Sequence, residues 1–85
     1  MSAEFEAAKK RVEESVEEMK GLSHDKQLEV YSLFKQATVG DVNTERPGFM
    51  DPRGKAKWDA WKTREGMSKE DAEKAYAELI TEILG

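Results

Sequence analysis

The sequence predicts an all-α fold, a four-helix bundle with one long crossover between its second and third helices. Three observations predict it. Four segments place apolar residues at steps of three and four, the period of one helix face. None shows sustained period-two alternation, so no strands are expected. One connection is long and aperiodic while the other two are short. Short joins make antiparallel neighbours, whereas a long one can cross over and set two helices parallel.

In the first segment Phe5, Ala8, Val12, Val16 and Met19 form the stripe, and Gly21 supplies a stop. The second begins after Ser23, an N-cap residue, and runs to Gly40. Its apolar set is wide. Val30, Leu33, Phe34 and Ala37 make one stripe, Leu28 and Tyr31 a second beside it, and Glu29, Ser32 and Gln36 the evident polar stripe. A helix apolar over so much of its circumference must touch more than one neighbour or line a groove. The crossover, Gly40 to Asp51, contains Pro47-Gly48, a type II turn signal.

The third helix starts at Asp51, whose carboxylate can cap it, with Pro52 where a backbone N–H has no helical partner. It ends near Gly66, with Trp58 and Trp61 on its inner face and Lys55 in a solvated cluster with Asp59 and Lys62. The fourth opens with Ser68 and Asp71 at capping-box spacing. Ala72, Ala75, Tyr76, Leu79, Ile80 and Ile83 share its inner face.

At 85 residues the chain has room for one core, so residues 1–85 read as a single domain. The absence of cysteine rules out disulfides and thiolate metal sites and suits a reducing compartment. The first residues show no apolar signal-peptide region, and no apolar run approaches the roughly 20 residues of a membrane span. A cytoplasmic monomer without stable membrane insertion is the expectation. The net charge of −4 argues against nucleic acid as a partner, yet it is unevenly spread. Residues 1–30 carry −3, residues 31–64 carry +3 and residues 65–85 carry −4. An anion, if one binds, belongs at the basic middle.

Which cations are free is the sharper question. Neighbours on a helix lie three and four residues apart. By that test every Lys and Arg has an acid beside it except Lys35, Arg46, Arg53, Lys57 and Arg64. Arg46 lies in the crossover, and Arg64 near a helix C-terminus that favours a cation. Lys35 and Lys57 differ. Each has an aromatic ring one turn away, Tyr31 for Lys35 and Trp61 for Lys57, and no acid. Arg53 adds a third charge in the first turn of its helix, where free N–H groups already favour anions. Together they predict an anion site on the second and third helices.

Other features point to nothing chemical. His24 has no second ligand or catalytic partner at a useful spacing, so no metal is expected. Glu13, Glu14, Glu17 and Glu18 read as a solvated face, and Met19, Met50 and Met67 as gap-fillers. Phosphate loops, nucleophile elbows and zinc helices are absent, so no catalytic residue, and no enzyme, is expected.

The strings "YSLFKQATVGDVNTERPG" (Tyr31 to Gly48), "GKAKWDAW" (Gly54 to Trp61) and "GMSKEDAEKAY" (Gly66 to Tyr76) resemble the acyl-CoA-binding protein family, also called diazepam-binding inhibitor. The resemblance covers essentially the whole chain. It implies a crossover four-helix bundle that carries long-chain fatty acyl-CoA thioesters and needs no cofactor. By the same resemblance Tyr31, Lys35, Lys57 and Tyr76 hold the nucleotide end, notably its 3′-phosphate. Phe34 stands where the family usually has tyrosine, which keeps a ring to stack on adenine and loses a hydroxyl. Arg53 matches the basic residue that often precedes the "GKAKW" string. Glu13 stands where relatives often carry lysine, and Lys9, one turn earlier, can substitute. Without the proline common between the first two helices, the first helix is expected to run longer. The acyl groove is expected between the second and third helices, with Leu28 and Ala56 as wall residues. An alternative from another class is a protein-interaction or signalling-peptide precursor, since the segment from Gln36 to Lys55 matches the peptides for which the family has its second name.

Overall fold

A computed structural model describes residues 2–85. It contains α1 (Ala3–Glu14), α2 (Val16–Lys20), α3 (His24–Thr38), α4 (Pro52–Lys62) and α5 (Lys69–Leu84), with no strand among the described residues. Each predicted cap is in place. Ser23 Oγ accepts from Lys26 N at 3.2 Å, Asp51 Oδ1 from Gly54 N at 3.0 Å and Ser68 Oγ from Asp71 N at 3.0 Å. Ser2 caps α1 in the same way, through Phe5 N at 3.1 Å.

The first predicted helix is broken. Ser15 leaves helical geometry, at φ −125° and ψ 38°, and its N–H bonds Val12 O instead of continuing the ladder. The predicted stripe therefore splits. Phe5 and Ala8 are buried, whereas Val16 is 48% exposed. The second segment stops at Lys20, and Gly21 does so in right-handed conformation, φ −78°, not as a left-handed cap. Gln27 of α3 supplies what such a cap would have done. Its Nε2 donates to the carbonyls of Met19, Lys20 and Leu22 at 3.1–3.3 Å, satisfying groups a helix end leaves open.

In space the helices follow the order α1, α5, α3, α4, because α5 packs on α1 and α3, and α3 on α4. Contacts give the directions. Ser2 meets Glu73 and Arg11 meets Gly85, so α1 and α5 run parallel. Lys57 meets Tyr31 and Lys35 meets Trp61, so the crossover sets α3 and α4 parallel, as its length requires. The core consists of Phe5, Ala8, Val30, Leu33, Ala37, Ala72, Tyr76, Leu79 and Ile80. Its centre is an edge-on contact of Phe5 with Tyr76, with ring centroids 5.2 Å apart.

The polar stripe of α3 is the main correction. Ser32 is 1% and Gln36 0% exposed. Gln36 Nε2 donates to Met67 O at 2.8 Å and to Asp41 Oδ1 at 2.9 Å, and Gly66 N donates to the same Asp41 oxygen. Ser32 Oγ donates to Glu29 O and accepts from Arg64 Nε at 3.0 Å. This stripe faces the chain between α4 and α5, whose backbone needs polar partners, so burial follows from hydrogen bonding rather than from hydrophobicity. Those two donors hold the Asp41 carboxyl below its ordinary value, the Gly66 N–H first and Gln36 second. Gln36 Oε1 is buried without a partner among the described residues.

Two glycines are required by their backbone. Gly40, at φ +99°, turns the chain out of α3, and Gly66, at φ +92°, ends the turn after α4 and brings its N–H to Asp41. The helix itself stops earlier than expected, at Lys62. Pro47-Gly48 does not form the type II turn, since Gly48 lacks the positive φ it needs. The turn falls at Phe49-Met50, closed by Asp51 N donating to Gly48 O at 3.0 Å. No helix is long and apolar enough to cross a membrane.

Candidate functional site

The parallel register of α3 and α4 places two residues one turn apart on each helix in facing positions. Tyr31 and Lys35 come from α3, Lys57 and Trp61 from α4. Each lysine lies over the ring of the other helix. Lys35 Nζ sits 4.9 Å from the Trp61 ring centroid and Lys57 Nζ 5.4 Å from that of Tyr31. The along-helix pairs read from the sequence, Lys35 with Tyr31 and Lys57 with Trp61, are thus exchanged across the interface. Trp61 is 5% exposed and anchors this arrangement, donating Nε1–H to Gly40 O at 2.8 Å. Trp58 is only half-buried and is not part of the inner face. It reaches the crossover instead, donating to Thr44 O at 2.9 Å.

Of the five cations without an acid on their own helix, the fold provides for two. Arg46 forms a bidentate pair with Asp59, with both N–O distances 2.8 Å. This holds the Asp59 carboxyl low and the guanidinium high, the hydrogen bonds being the main cause in each case. It also removes Asp59 from the expected cluster with Lys55 and Lys62, and Lys62 pairs with Glu65 at 2.9 Å. Arg64 bonds Ser32. No ion pair among the described residues involves Lys35, Arg53 or Lys57.

Arg53 and Lys57 border a run of clefts across the exposed side of α3, whereas Lys35 lines none of them. Between α3 and α4 lies one of about 420 Å³, lined by His24, Gln27, Leu28, Tyr31, Arg53 and Lys57. Next to it, bounded by α1, α3 and α5, is one of about 470 Å³, lined by Lys9, Val12, Glu13, Gln27, Val30, Tyr31, Phe34 and Tyr76. They share Gln27 and Tyr31. A third, of about 280 Å³ and lined mainly by Val12, Val16, Met19 and Val30, continues along α1 and α2. A larger cleft of about 600 Å³ between α1 and α5 includes none of Lys35, Arg53 and Lys57.

The predicted site residues therefore divide between two neighbouring clefts. Leu28, Arg53 and Lys57 face the first, Phe34 and Tyr76 the second, and Tyr31 both. Lys35 stands over Trp61 and lines neither. Ala56 is half-buried on α4 and is not among the residues lining the first cleft. Phe34, on the apolar stripe of the second predicted helix and expected to offer a ring to the ligand, is 37% exposed, its ring 6.1 Å from that of Tyr76. Tyr76 is 3% exposed, and burial, with Glu13 adding to it, pushes its hydroxyl up to about 12, so it remains a neutral donor. Lys9, which the sequence offered as a substitute near Glu13, does reach the second cleft, although it also pairs with Glu6 at 3.2 Å. His24 and Gln27 were missed as lining residues. His24 had a signal, since it lies four and seven residues before Leu28 and Tyr31, on their face. Gln27 had none.

Such a site offers three cations outside any ion pair among the described residues and two accessible rings, Tyr31 and Phe34, beside apolar walls, which suits an amphiphile with a phosphorylated aromatic head. No group of three or more metal-ligating side chains occurs among the described residues.

Comparison with known proteins agrees. The family model described as "Acyl CoA binding protein" matches residues 2–80. Acyl-CoA-binding protein homolog 1 of Caenorhabditis elegans is 52% identical over 62 residues, covering 73% of this chain and 72% of its own. The crystal structure of Oryza sativa Acyl-CoA-Binding Protein 2 superimposes with a TM-score of 0.85 at 38% identity, covering 95% of this chain and 87% of that one. ACBP from Moniliophthora perniciosa gives 0.82 at 49% identity, covering 99% and 81%.

Proposed function

The chain belongs to the acyl-CoA-binding protein family, and on that premise we propose that it is a non-catalytic carrier and buffer for medium- to long-chain fatty acyl-CoA thioesters. The observation that carries this reading is the exchanged pair of cations, Lys35 over Trp61 and Lys57 over Tyr31, held without acids, with Lys57 and Tyr31 lining clefts that also hold aromatic and apolar side chains.

In this reading the ligand's 3′-phosphate lies between Lys35 and Lys57, with Arg53 nearby. The adenine stacks in the cleft of Tyr31, Phe34 and Tyr76, and the neutral Tyr76 hydroxyl donates to the head group. The acyl chain follows the groove between α3 and α4, along Leu28. Each buried methylene contributes about 0.8 kcal/mol, so a roughly 16-carbon chain supplies on the order of 10 kcal/mol. Each charge-assisted phosphate bond adds about 1.5–3 kcal/mol. The chain then dominates affinity and the cations set specificity for the nucleotide. A chain laid under its own head group is also kept from water, which protects the cell from a detergent and the thioester from hydrolysis. The protein acts as a cytoplasmic monomer of one acyl-CoA-binding domain.

Calorimetric titration with palmitoyl-CoA, free CoA and palmitate tests the reading. The thioester should bind far more tightly than either part. Equal affinity for free CoA would remove the burial argument.

A further inference from the structure

The crossover carries the most exposed large apolar side chains of those identified on the surface. Phe49 is 81% and Met50 83% exposed. They are adjacent, at the two central positions of the turn closed by Asp51 N and Gly48 O. A side chain built at Gly48 would meet nothing within 4 Å, so the turn stands clear of the bundle. The crossover is nevertheless held at four points, by Trp61 on Gly40 O, Gln36 and Gly66 on Asp41, Trp58 on Thr44 O and Arg46 on Asp59. A segment fastened in this way could keep two apolar residues against the bundle, yet it presents them outward.

We propose that this tip docks the protein on an anionic lipid surface, with Phe49 and Met50 entering the headgroup region and neighbouring cations facing the lipid charge. Charge complementarity favours this occupant. Residues 31–64 carry +3 in a protein of −4, and Arg53, Lys55 and Lys57 follow the tip within two turns of α4. The nearby acids are Glu45 and Asp51, and Asp51 is engaged as the cap of α4. Size favours it as well. Two convex side chains are far short of the roughly 20–30 residues per side in a stable protein interface. A fluid bilayer needs no preformed pocket to receive them. The contact is shallow and reversible, and it brings the α3–α4 cleft to the surface from which an amphiphile would be taken or to which it would be returned. Docking itself does not depend on the ligand reading, because the tip lines none of the clefts described above.

Sedimentation of ligand-free protein with vesicles tests it. Binding is expected to phosphatidylcholine vesicles that contain phosphatidylserine, to weaken with salt, and to be much poorer on phosphatidylcholine alone. Phe49→Ala combined with Met50→Ala should weaken vesicle binding about tenfold or more. It should leave circular dichroism and acyl-CoA affinity in solution unchanged. Phe49→Leu with Met50→Leu, which keeps apolar side chains, should restore vesicle binding. Three results would overturn the proposal. They are absence of binding to the anionic vesicles, an alanine double variant that binds as well as the wild type, and a concentration-dependent dimer abolished by that variant in place of vesicle binding.

Discussion

Replacing Lys57 by alanine separates binding from folding. In the folded protein the side chain is exposed, makes no ion pair among the described residues, and touches the fold through the Tyr31 ring at 5.4 Å. An exposed cation–π contact contributes about 0.5–1 kcal/mol, so the variant should unfold at nearly the wild-type urea concentration. The lost phosphate contact is larger. A charge-assisted hydrogen bond contributes about 1.5–3 kcal/mol, and solvent exposure puts Lys57 at the low end. Since about 1.4 kcal/mol is a factor of ten, the dissociation constant for palmitoyl-CoA should rise about 10- to 30-fold. Isothermal calorimetry would measure it, with Lys62→Ala as a control that should change nothing, because Lys62 is occupied with Glu65. The diagnostic arm uses palmitoyl-CoA lacking the 3′-phosphate. Against that ligand Lys57→Ala should have little further effect, the pattern of two groups that act through each other. An unchanged affinity, or an equal loss with both ligands, would refute the assignment of the phosphate to Lys57.

Two further outcomes bear on stability. Gln36→Leu removes both donors that tie α3 to Asp41 and Met67 O, and should cost about 1–3 kcal/mol in urea unfolding. A variant as stable as the wild type would show that the buried stripe contributes nothing. For Tyr76 the folded pKa lies above the unfolded one, about 12 against 10.0. The unfolded chain therefore loses its proton first, and stability present below pH 10 should decline as pH rises toward 12. Comparing unfolding free energies across that range with those of Tyr76→Phe isolates the tyrosine, and matching slopes would contradict its burial.

Much of the architecture was legible because its causes are local. Ser23, Asp51 and Ser68 cap whatever helix follows them, since the bond joins a side chain to an N–H only two or three residues on. The alternation of short and long joins carried the parallel setting of α3 and α4. The search for acids three and four residues away isolated Lys35, Arg53 and Lys57, and none of them forms an ion pair among the described residues. Of the cations with an acid in reach, however, only Lys9, Lys26 and Lys62 pair with one three residues away. The search was blind to Arg46, whose acid lies on α4, across a gap in sequence that no periodicity spans.

The errors share one cause. Helical periodicity shows which residues share a face but not what that face meets. Ser32 and Gln36 read as a wet stripe because they are polar. They are buried because Met67 O and the Arg64 side chain come to them from the end of α4 and the turn beyond it. Ser15 breaks a stripe that seemed continuous, and Gln27 caps the fragment from another helix. By itself, the sequence determined the all-helical class, the caps at Ser23, Asp51 and Ser68, and which cations lack an acid within a turn on their own helix, all set by interactions within a turn or two. Only the tertiary structure decided which ring each cation faces, which polar groups are buried and where the clefts run. Those outcomes depend on partners that the chain brings together only when α4 and α5 have packed on α3.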